Sequence, residues 1–491
     1  MVIIFAVLDR EKSFSFPNSL LVVVKNSLKK AEISALDSVR VYPPRTESEK
    51  KWGNLTRIES LGGLIMTTEM EIERKLPWMR IIEQRYDVPP RIDASAEVDR
   101  EWMRIKDGLD LPKGANVAVG VGSRGITNLA IVVRAVVAKL KEAGCRPFII
   151  PAMGSHGGAT AAGQVDVLRS RGITQESVGA PVRATMDVIP MGEVDGIPLF
   201  MDRLAQEADG IVPINRIKPH TNFIGPTESG LIKMLAIGMG NQIGAEHYHR
   251  LSVVRDQYTI ISSAGKALIK RCPVLFGVGL VENQEHETAL IKMALAHEIE
   301  AVETDLLKMA RACLPTLPVD EIDLLIIDEM GKDISGEGID PNVVGRDVCA
   351  YGAKRANPKI TRIFVRELTK GSEGSGLGIG QADFTTQRLV DKIDFQVTAI
   401  NCLTSCCPES GMVPLTYPND REAIAAALMT LRPYTREDLR IVHIKNTLEL
   451  MSVLASQGCL GDLEKTPDLK VGTENLELTF DRSGNLITPF A

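Results

Sequence analysis

Asn116-Val-Ala-Val-Gly-Val-Gly122 is a short apolar run ending in glycine, and Leu129, Val132, Val133, Val136, Val137 and Leu140 then recur at helical spacing up to Gly144. The pattern repeats. Arg146-Pro-Phe-Ile-Ile-Pro151 reads as a second strand, followed by the turn Gly154-Ser-His-Gly-Gly158 and a helix through Leu168, and Gly210-Ile-Val-Pro-Ile-Asn215 reads as another strand. Strands apolar on both faces, separated by amphipathic helices, predict a parallel sheet covered on both sides. The two prolines of Cys313-Leu-Pro-Thr-Leu-Pro318 interrupt a helix, and Ile322-Asp-Leu-Leu-Ile-Ile-Asp328 opens a second run of the same kind. Its next strands are read at Arg362-Ile-Phe-Val-Arg366 and Phe395-Gln-Val-Thr-Ala-Ile-Asn401, with a helix over Gln387 to Ile393 between them. The fold class is α/β: two α/β domains with mainly parallel sheets, over 66–312 and 319–480, with the functional site in the cleft between them. Ligands of open sheets gather at the carboxyl ends of the strands, so the loops after each strand are where chemistry is expected.

The 491 residues allow two or three domains, and a hydrophobic content of 44% is ample for large cores. A net charge of −6, with both signs mixed along the chain, points to neither nucleic acid nor an anionic membrane. No apolar run reaches the roughly 18 residues that span a bilayer. Met1 to Leu8 is apolar, but Asp9, Arg10, Glu11 and Lys12 come at once after it, without a basic leader or a small-residue cleavage site, so it is not read as a signal peptide. Residues 1–65 lack the periodicity of the rest and are expected to be a poorly ordered extension or an artefactual start. The eight cysteines, with no secretory signal, are expected to be reduced thiols of a cytoplasmic protein. Cys402, Cys406 and Cys407 cluster without matching a zinc spacing.

Gly120-Val-Gly-Ser-Arg-Gly125 fits G-x-G-x-x-G between a strand and a helix, the fingerprint of dinucleotide binding. The next strand ends Phe148-Ile-Ile-Pro151-Ala-Met, with no carboxylate for a ribose. Two other readings stand beside it: a tight strand-to-helix turn that needs glycine, or an anion site in which Arg124 and the helix start at Thr127 and Asn128 grip a phosphate or carboxylate.

Of seven histidines, four fall between 156 and 249. His156 sits in a glycine-rich turn after one strand, and His220 comes just after Lys218-Pro219, beyond another. Imidazoles on successive strand tips can face one pocket, where they exchange protons near neutral pH or bind nickel, zinc or copper. Lys233 stands among Leu231, Ile232, Met234, Leu235 and Ile237, surroundings that desolvate an amine and make it nucleophilic. His247 and His249 would point about 200° apart on a helix, so one of them at most serves the site. Gly238, Gly240 and Gly244 supply the bend that lets Lys233 and His249 face one pocket.

These pieces together resemble the nickel-dependent lactate racemase family. Ser123-Arg124 is similar to its Thr-Arg step, Gly154-Ser-His156 to its Gly-x-His turn, Ile217-Lys-Pro-His220 to its Glu-Pro-His element, and Ser229-Gly-Leu-Ile-Lys233 with His249 to its cofactor lysine and nickel-binding histidine. The resemblance covers 115–250, and 319–340 loosely through Gly331-Lys-Asp-Ile-Ser335. It implies that Lys233 holds a nickel-pincer nucleotide, a pyridinium mononucleotide carrying thioamide and thiocarboxylate groups, with Ser123 and Arg124 also on the cofactor. It implies that His249 binds the nickel, that His156 and His220 are the catalytic acid–base pair, and that Arg124 binds or orients the substrate carboxylate. Racemising a 2-hydroxy acid by proton-coupled hydride transfer needs one base on each face, and the cofactor takes the hydride. The implied partners are a small 2-hydroxy acid and the cofactor-making enzymes.

The sequence departs from the family in two places. The segment between His220 and Lys233 is longer, and Gly336-Glu-Gly-Ile-Asp-Pro-Asn-Val-Val-Gly-Arg346 stands where the lactate enzyme has a polar tyrosine–glutamine–lysine helix. Lys332, Asn342 and Arg346 are the substrate contacts read there, and the changed pocket points to a bulkier or more polar 2-hydroxy acid or a sugar acid. The alternatives to an isomerase are an NAD(P)-dependent oxidoreductase, from the glycine motif, and a non-catalytic binding protein for the cofactor or a hydroxy acid.

Overall fold

The computed structural model describes residues 76–123, 125–466 and 468–490. The expectation for residues 1–65 and the roles given to Arg124 lie outside the described residues. In chain order the first strands are β1 (Met79–Gln84), β2 (Asn116–Val121), β3 (Arg146–Pro151), β4 (Val188–Val194), β5 (Ile197–Asp202), β6 (Gly210–Arg216), β7 (Phe276–Glu282) and β8 (Thr288–Leu295). After them come β9 (Glu321–Met330), β10 (Lys359–Leu368), β11 (Phe384–Thr386), β12 (Leu415–Tyr417), β13 (Ile441–Ile444), β14 (Ser452–Ser456) and β15 (Leu469–Val471).

Among the described residues the first half forms a five-stranded sheet ordered β3-β2-β6-β7-β8. All of its pairs are parallel except the β7–β8 hairpin. Helices cover both faces, which is why β2 is apolar from Val117 onward: Val117, Val119 and Val121 enter one core and Ala118 the other. The helix Leu129–Glu142 buries Leu129, Val132, Val133, Val136, Val137 and Leu140, the stripe that the spacing predicts. The second half forms an eight-stranded sheet ordered β12-β11-β10-β9-β13-β14-β1-β15, parallel from β12 to β13 and antiparallel beyond. The fold is thus α/β with two mainly parallel sheets. β1 pairs with β14 and β15, so the start of the described chain belongs to the sheet of the second half.

One strand assignment is corrected. Phe395–Ser405 is a helix, and the strand next to β10 is Phe384–Thr386. Asp394 caps the helix by accepting from the amides of Gln396 and Val397. The helix read over Gln387 to Ile393 is shorter, Gln387–Val390. No helix among the described residues is long and apolar enough to cross a membrane.

Candidate functional site

β2 has β3 on one side and β6 on the other, so the chain leaves it in opposite directions and opens a crevice beyond the carboxyl ends. A cavity of about 160 Å³ lies there. Ser123 after β2, His156 after β3, and Asn215, Lys218 and His220 at and after β6 line it, and Lys233 enters from the segment beyond. Gly336 of the second half also lines it.

The local chain positions each group. His156 sits in a turn in which Gly157 has φ +66°, and a Cβ there would lie 2.6 Å from the Gln164 amide nitrogen, so the turn takes glycine only. The buried Gln164 side chain donates to the Gly154 carbonyl at 2.8 Å and fixes the turn from below. Nδ1 of His156 lies 2.5 Å from the Ser123 hydroxyl. His220 is gripped by its backbone. Its amide donates to Oε2 of buried Glu228 at 2.6 Å, and its carbonyl accepts from Asn342 at 3.1 Å and Arg355 at 3.2 Å, both from the second half. Burial, reinforced by the charges of Lys233 and Lys218, pushes the pKa of His220 well below the usual 6.5.

Lys233 closes the short helical turn Leu231–Lys233 and leads into a wide π-type turn over Met234–Gly238, a distortion frequent at functional sites. Asn215 donates to the Gly230 carbonyl at 3.0 Å, and Glu303 accepts from the Ile232 amide at 2.9 Å, so strand β6 and the helix Ile299–Ala312 both hold the turn. Burial raises the Glu303 pKa from the ordinary 4.5 to about 8. The native carboxyl therefore keeps its proton through neutral pH while the unfolded one loses it. Its contribution is complete below about pH 4.5 and is lost as pH rises towards 8. Glu303→Gln does not titrate, so its melting temperature should climb relative to wild type between pH 5 and 8. A constant difference across that range would count against this assignment.

His249 lies on the helix Asn241–Ser252, and its Nδ1 is 2.7 Å from the Thr404 carbonyl of the second half. A carbonyl only accepts, so Nδ1 carries the hydrogen and Nε2 is left with its lone pair. Burial, together with the nearby ammonium of Lys233, holds its pKa at about 4 and keeps the ring neutral. A neutral imidazole whose other nitrogen donates to a backbone carbonyl is the usual form of a metal-binding histidine. His247 is exposed and packs against Phe200.

The first glycine of the motif packs closely against the site. A Cβ at Gly120 would run into the Met239 methyl group, so the glycine lets the π-type turn and Met239 just beyond it lie against the end of β2. The amide of Thr127, at the start of the next helix, donates to Glu282 at 2.7 Å.

No protein-family model matches the chain, and no match is found among curated proteins. Among solved structures, a Thermotoga maritima protein determined as a structural-genomics target is similar at 15% identity and a TM-score of 0.44, covering 68% of this chain and 91% of that one. The lactate racemase apoprotein from Thermoanaerobacterium thermosaccharolyticum is similar at 13% identity and a TM-score of 0.42, covering 75% and 88%.

Of the residues singled out in the sequence, Ser123, His156, His220 and Lys233 share the cavity, and His249 lies within electrostatic reach of Lys233 and His220. Three others are engaged elsewhere. Lys332 donates to Asn401 at 2.7 Å. Asn342 holds the His220 carbonyl. Arg346 bonds the Gln381 and Ile360 carbonyls and Asp383 within the second half. Asn215, Lys218, Glu228, Glu303 and Arg355 were not singled out. Only Lys218 carried a signal, as the neighbour of Pro219-His220.

The expectation of eight reduced thiols is corrected: Cys349 and Cys407 form a disulfide with a Cα–Cα separation of 5.3 Å. It ties the loop that touches Asn222, through Asn222 Nδ2 to Cys349 Sγ at 3.5 Å, to the segment after the helix Phe395–Ser405. The partners are 58 residues apart, so local spacing gave no sign of the pair. Reduction, or Cys407→Ser, is expected to lower stability by about 2–4 kcal/mol. Urea unfolding with and without a thiol reductant measures it, and identical midpoints would contradict the bond.

The donor set fits the group that the resemblance implies. Among the described residues no three or more histidines, cysteines or acids are placed to hold a metal. One neutral imidazole beside one amine suits instead a metal that arrives with most of its donors on an organic group, and imidazole nitrogen suits nickel.

Proposed function

We propose that the chain is an isomerase that racemises or epimerises a small 2-hydroxy acid, matured with a nickel-pincer nucleotide tethered to Lys233. One observation supports this above the others: an amine from a helical turn and two imidazoles from the loops after β3 and β6 line one cavity, with a third imidazole within electrostatic reach of the amine whose tautomer leaves Nε2 its lone pair. The pincer nucleotide, when bound, supplies the hydride acceptor and donor.

The rest falls to the chain. Lys233 contributes the amine of the tether, and His249 contributes Nε2 to the nickel. His156, with Ser123 at its Nδ1, and His220, both lining the cavity, take the hydroxyl proton from one hand of the substrate and return it to the other. Lys218 lines the same cavity and brings a positive charge to the substrate carboxylate. Gly336 of the second half lines the cavity as well, so both halves of the chain border the site. A dinucleotide-dependent oxidoreductase is less well supported, because the strand after the glycine motif ends in Pro151-Ala-Met, without a carboxylate for a ribose.

The test is production with and without the cofactor-making enzymes. Stoichiometric nickel, added mass on the peptide carrying Lys233 and inversion of a 2-hydroxy acid in a chiral assay are expected only with them. Absence of both nickel and added mass ends the proposal.

A further inference from the structure

One corner of the cavity is built by two stretches of chain that meet just beyond β6. Ile217 leaves β6 with its amide on the Leu280 carbonyl at 2.7 Å and its side chain buried in the core. Lys218 then pairs with Ser229 as a single antiparallel rung, in which each amide donates to the other's carbonyl, at 2.9 and 3.2 Å. Residues directly opposite in such a rung carry their side chains on the same face. That face is the cavity, since Lys218 and Ser229 both line it. Glu228, one step along, is engaged instead by the His220 amide and Arg311. Asn215, near the end of β6, joins the corner. Its Nδ2 donates to the Gly230 carbonyl at 3.0 Å, which directs the side-chain amide and leaves Oδ1 as an acceptor. Among the described residues no hydrogen bond engages that oxygen or the Ser229 hydroxyl. An ammonium, a hydroxyl and an amide oxygen are thus gathered on adjoining backbone links, whereas Ala152, Met153, Met234 and Ile237 give the rest of the lining an apolar character.

We propose that Lys218, Ser229 and Asn215 select a 2-hydroxy acid that carries a second hydroxyl on C3. Lys218 takes the carboxylate. The Ser229 hydroxyl donates to the C3 hydroxyl, and Asn215 Oδ1 accepts from it. C2 and its own hydroxyl are left to His156 and His220. A methyl group at C3, as in lactate, would strip water from both polar atoms without replacing their hydrogen bonds, which is how a site built around a hydroxyl rejects the analogue that lacks it. Turnover of such an acid rests on the isomerase reading above, but its recognition rests on side chains of this chain alone.

Calorimetric titration of the full chain, produced without the cofactor-making enzymes, reads the recognition step by itself. Glycerate should bind at least about tenfold more tightly than lactate. Ser229→Ala should erase the difference by weakening glycerate, Ser229→Thr keeps a hydroxyl and should keep the preference, and Lys218→Gln should weaken both acids. Asn215 also holds the Lys233 turn, so its replacement is the less clean variant. Equal affinities, no binding of either acid, or a preference that survives Ser229→Ala at an unchanged melting temperature overturns the proposal. In the matured enzyme the same preference should appear in kcat/KM for inversion at C2. Binding as stated by a protein that inverts neither acid would count against the function proposed above and leave the recognition corner in place.

Discussion

Replacing Lys233 by alanine is expected to remove the added mass from protein matured with the cofactor-making enzymes, and with it nickel and isomerase activity, to background. The expectation comes from the cavity. Lys233 is the amine on the turn that Glu303 and Asn215 hold in place, and His249 alone offers too few donors to retain a metal. A structural role for the ammonium would give a different pattern. Its charge bears on both His220 and His249, so one could suppose that it serves only to keep those rings neutral. Lys233→Arg separates the two. A guanidinium keeps the charge but stays protonated and is no nucleophile at neutral pH, so it should fail as fully as alanine. Intact-mass spectrometry with metal analysis reads the result, and thermal melting close to wild type confirms that the fold is kept. Added mass persisting in Lys233→Ala would place the tether elsewhere and remove the basis of the proposed function.

The first half of the fold was legible because its strands are buried on both faces and its helices on one. The six apolar positions that recur at helical spacing in Leu129–Glu142 are the six that the helix buries, while Ile131, off that stripe, is exposed, and β2, β3 and β6 fall where short apolar runs end in turn residues. The segment at 395–401 misled for a physical reason. Its apolar side chains suggested a strand, yet Phe395 and Ile400 are 56% and 64% exposed, so the pattern did not report a core. The N-cap at Asp394 decided the outcome. Ser123, His156, His220 and Lys233 could be read because each comes after a strand or a glycine in the same run of chain. The groups that hold them could not. Arg355 and Asn342 reach His220 from more than a hundred residues away, and Asn342, read as a substrate contact, bonds a backbone carbonyl. Sequence spacing cannot tell an amide that faces a ligand from one that faces a peptide.

His156→Ala is expected to lower kcat by about 10²–10⁴-fold, the usual worth of a positioned proton-transfer group. The argument concerns which nitrogen faces the substrate. If Nδ1–H donates to the Ser123 hydroxyl 2.5 Å away, Nε2 presents a lone pair to the cavity, and the same hydrogen bond survives when the ring gains its second proton. A hydroxyl serves the ring as donor or acceptor, so Ser123 acts by holding the orientation of the base through both halves of the cycle. Ser123→Ala removes one hydrogen bond of about 0.5–1.5 kcal/mol, which corresponds to a loss of up to roughly tenfold. Because Ser123 works through His156, the loss should fall on kcat and leave KM nearly unchanged. Ser123→Thr restores a hydroxyl at the same atom and should recover most of the rate, which simple loosening of the loop after β2 would not allow. A threonine variant as slow as the alanine one, or a KM rise with kcat intact, would mean that Ser123 touches the ligand directly and does not act through His156.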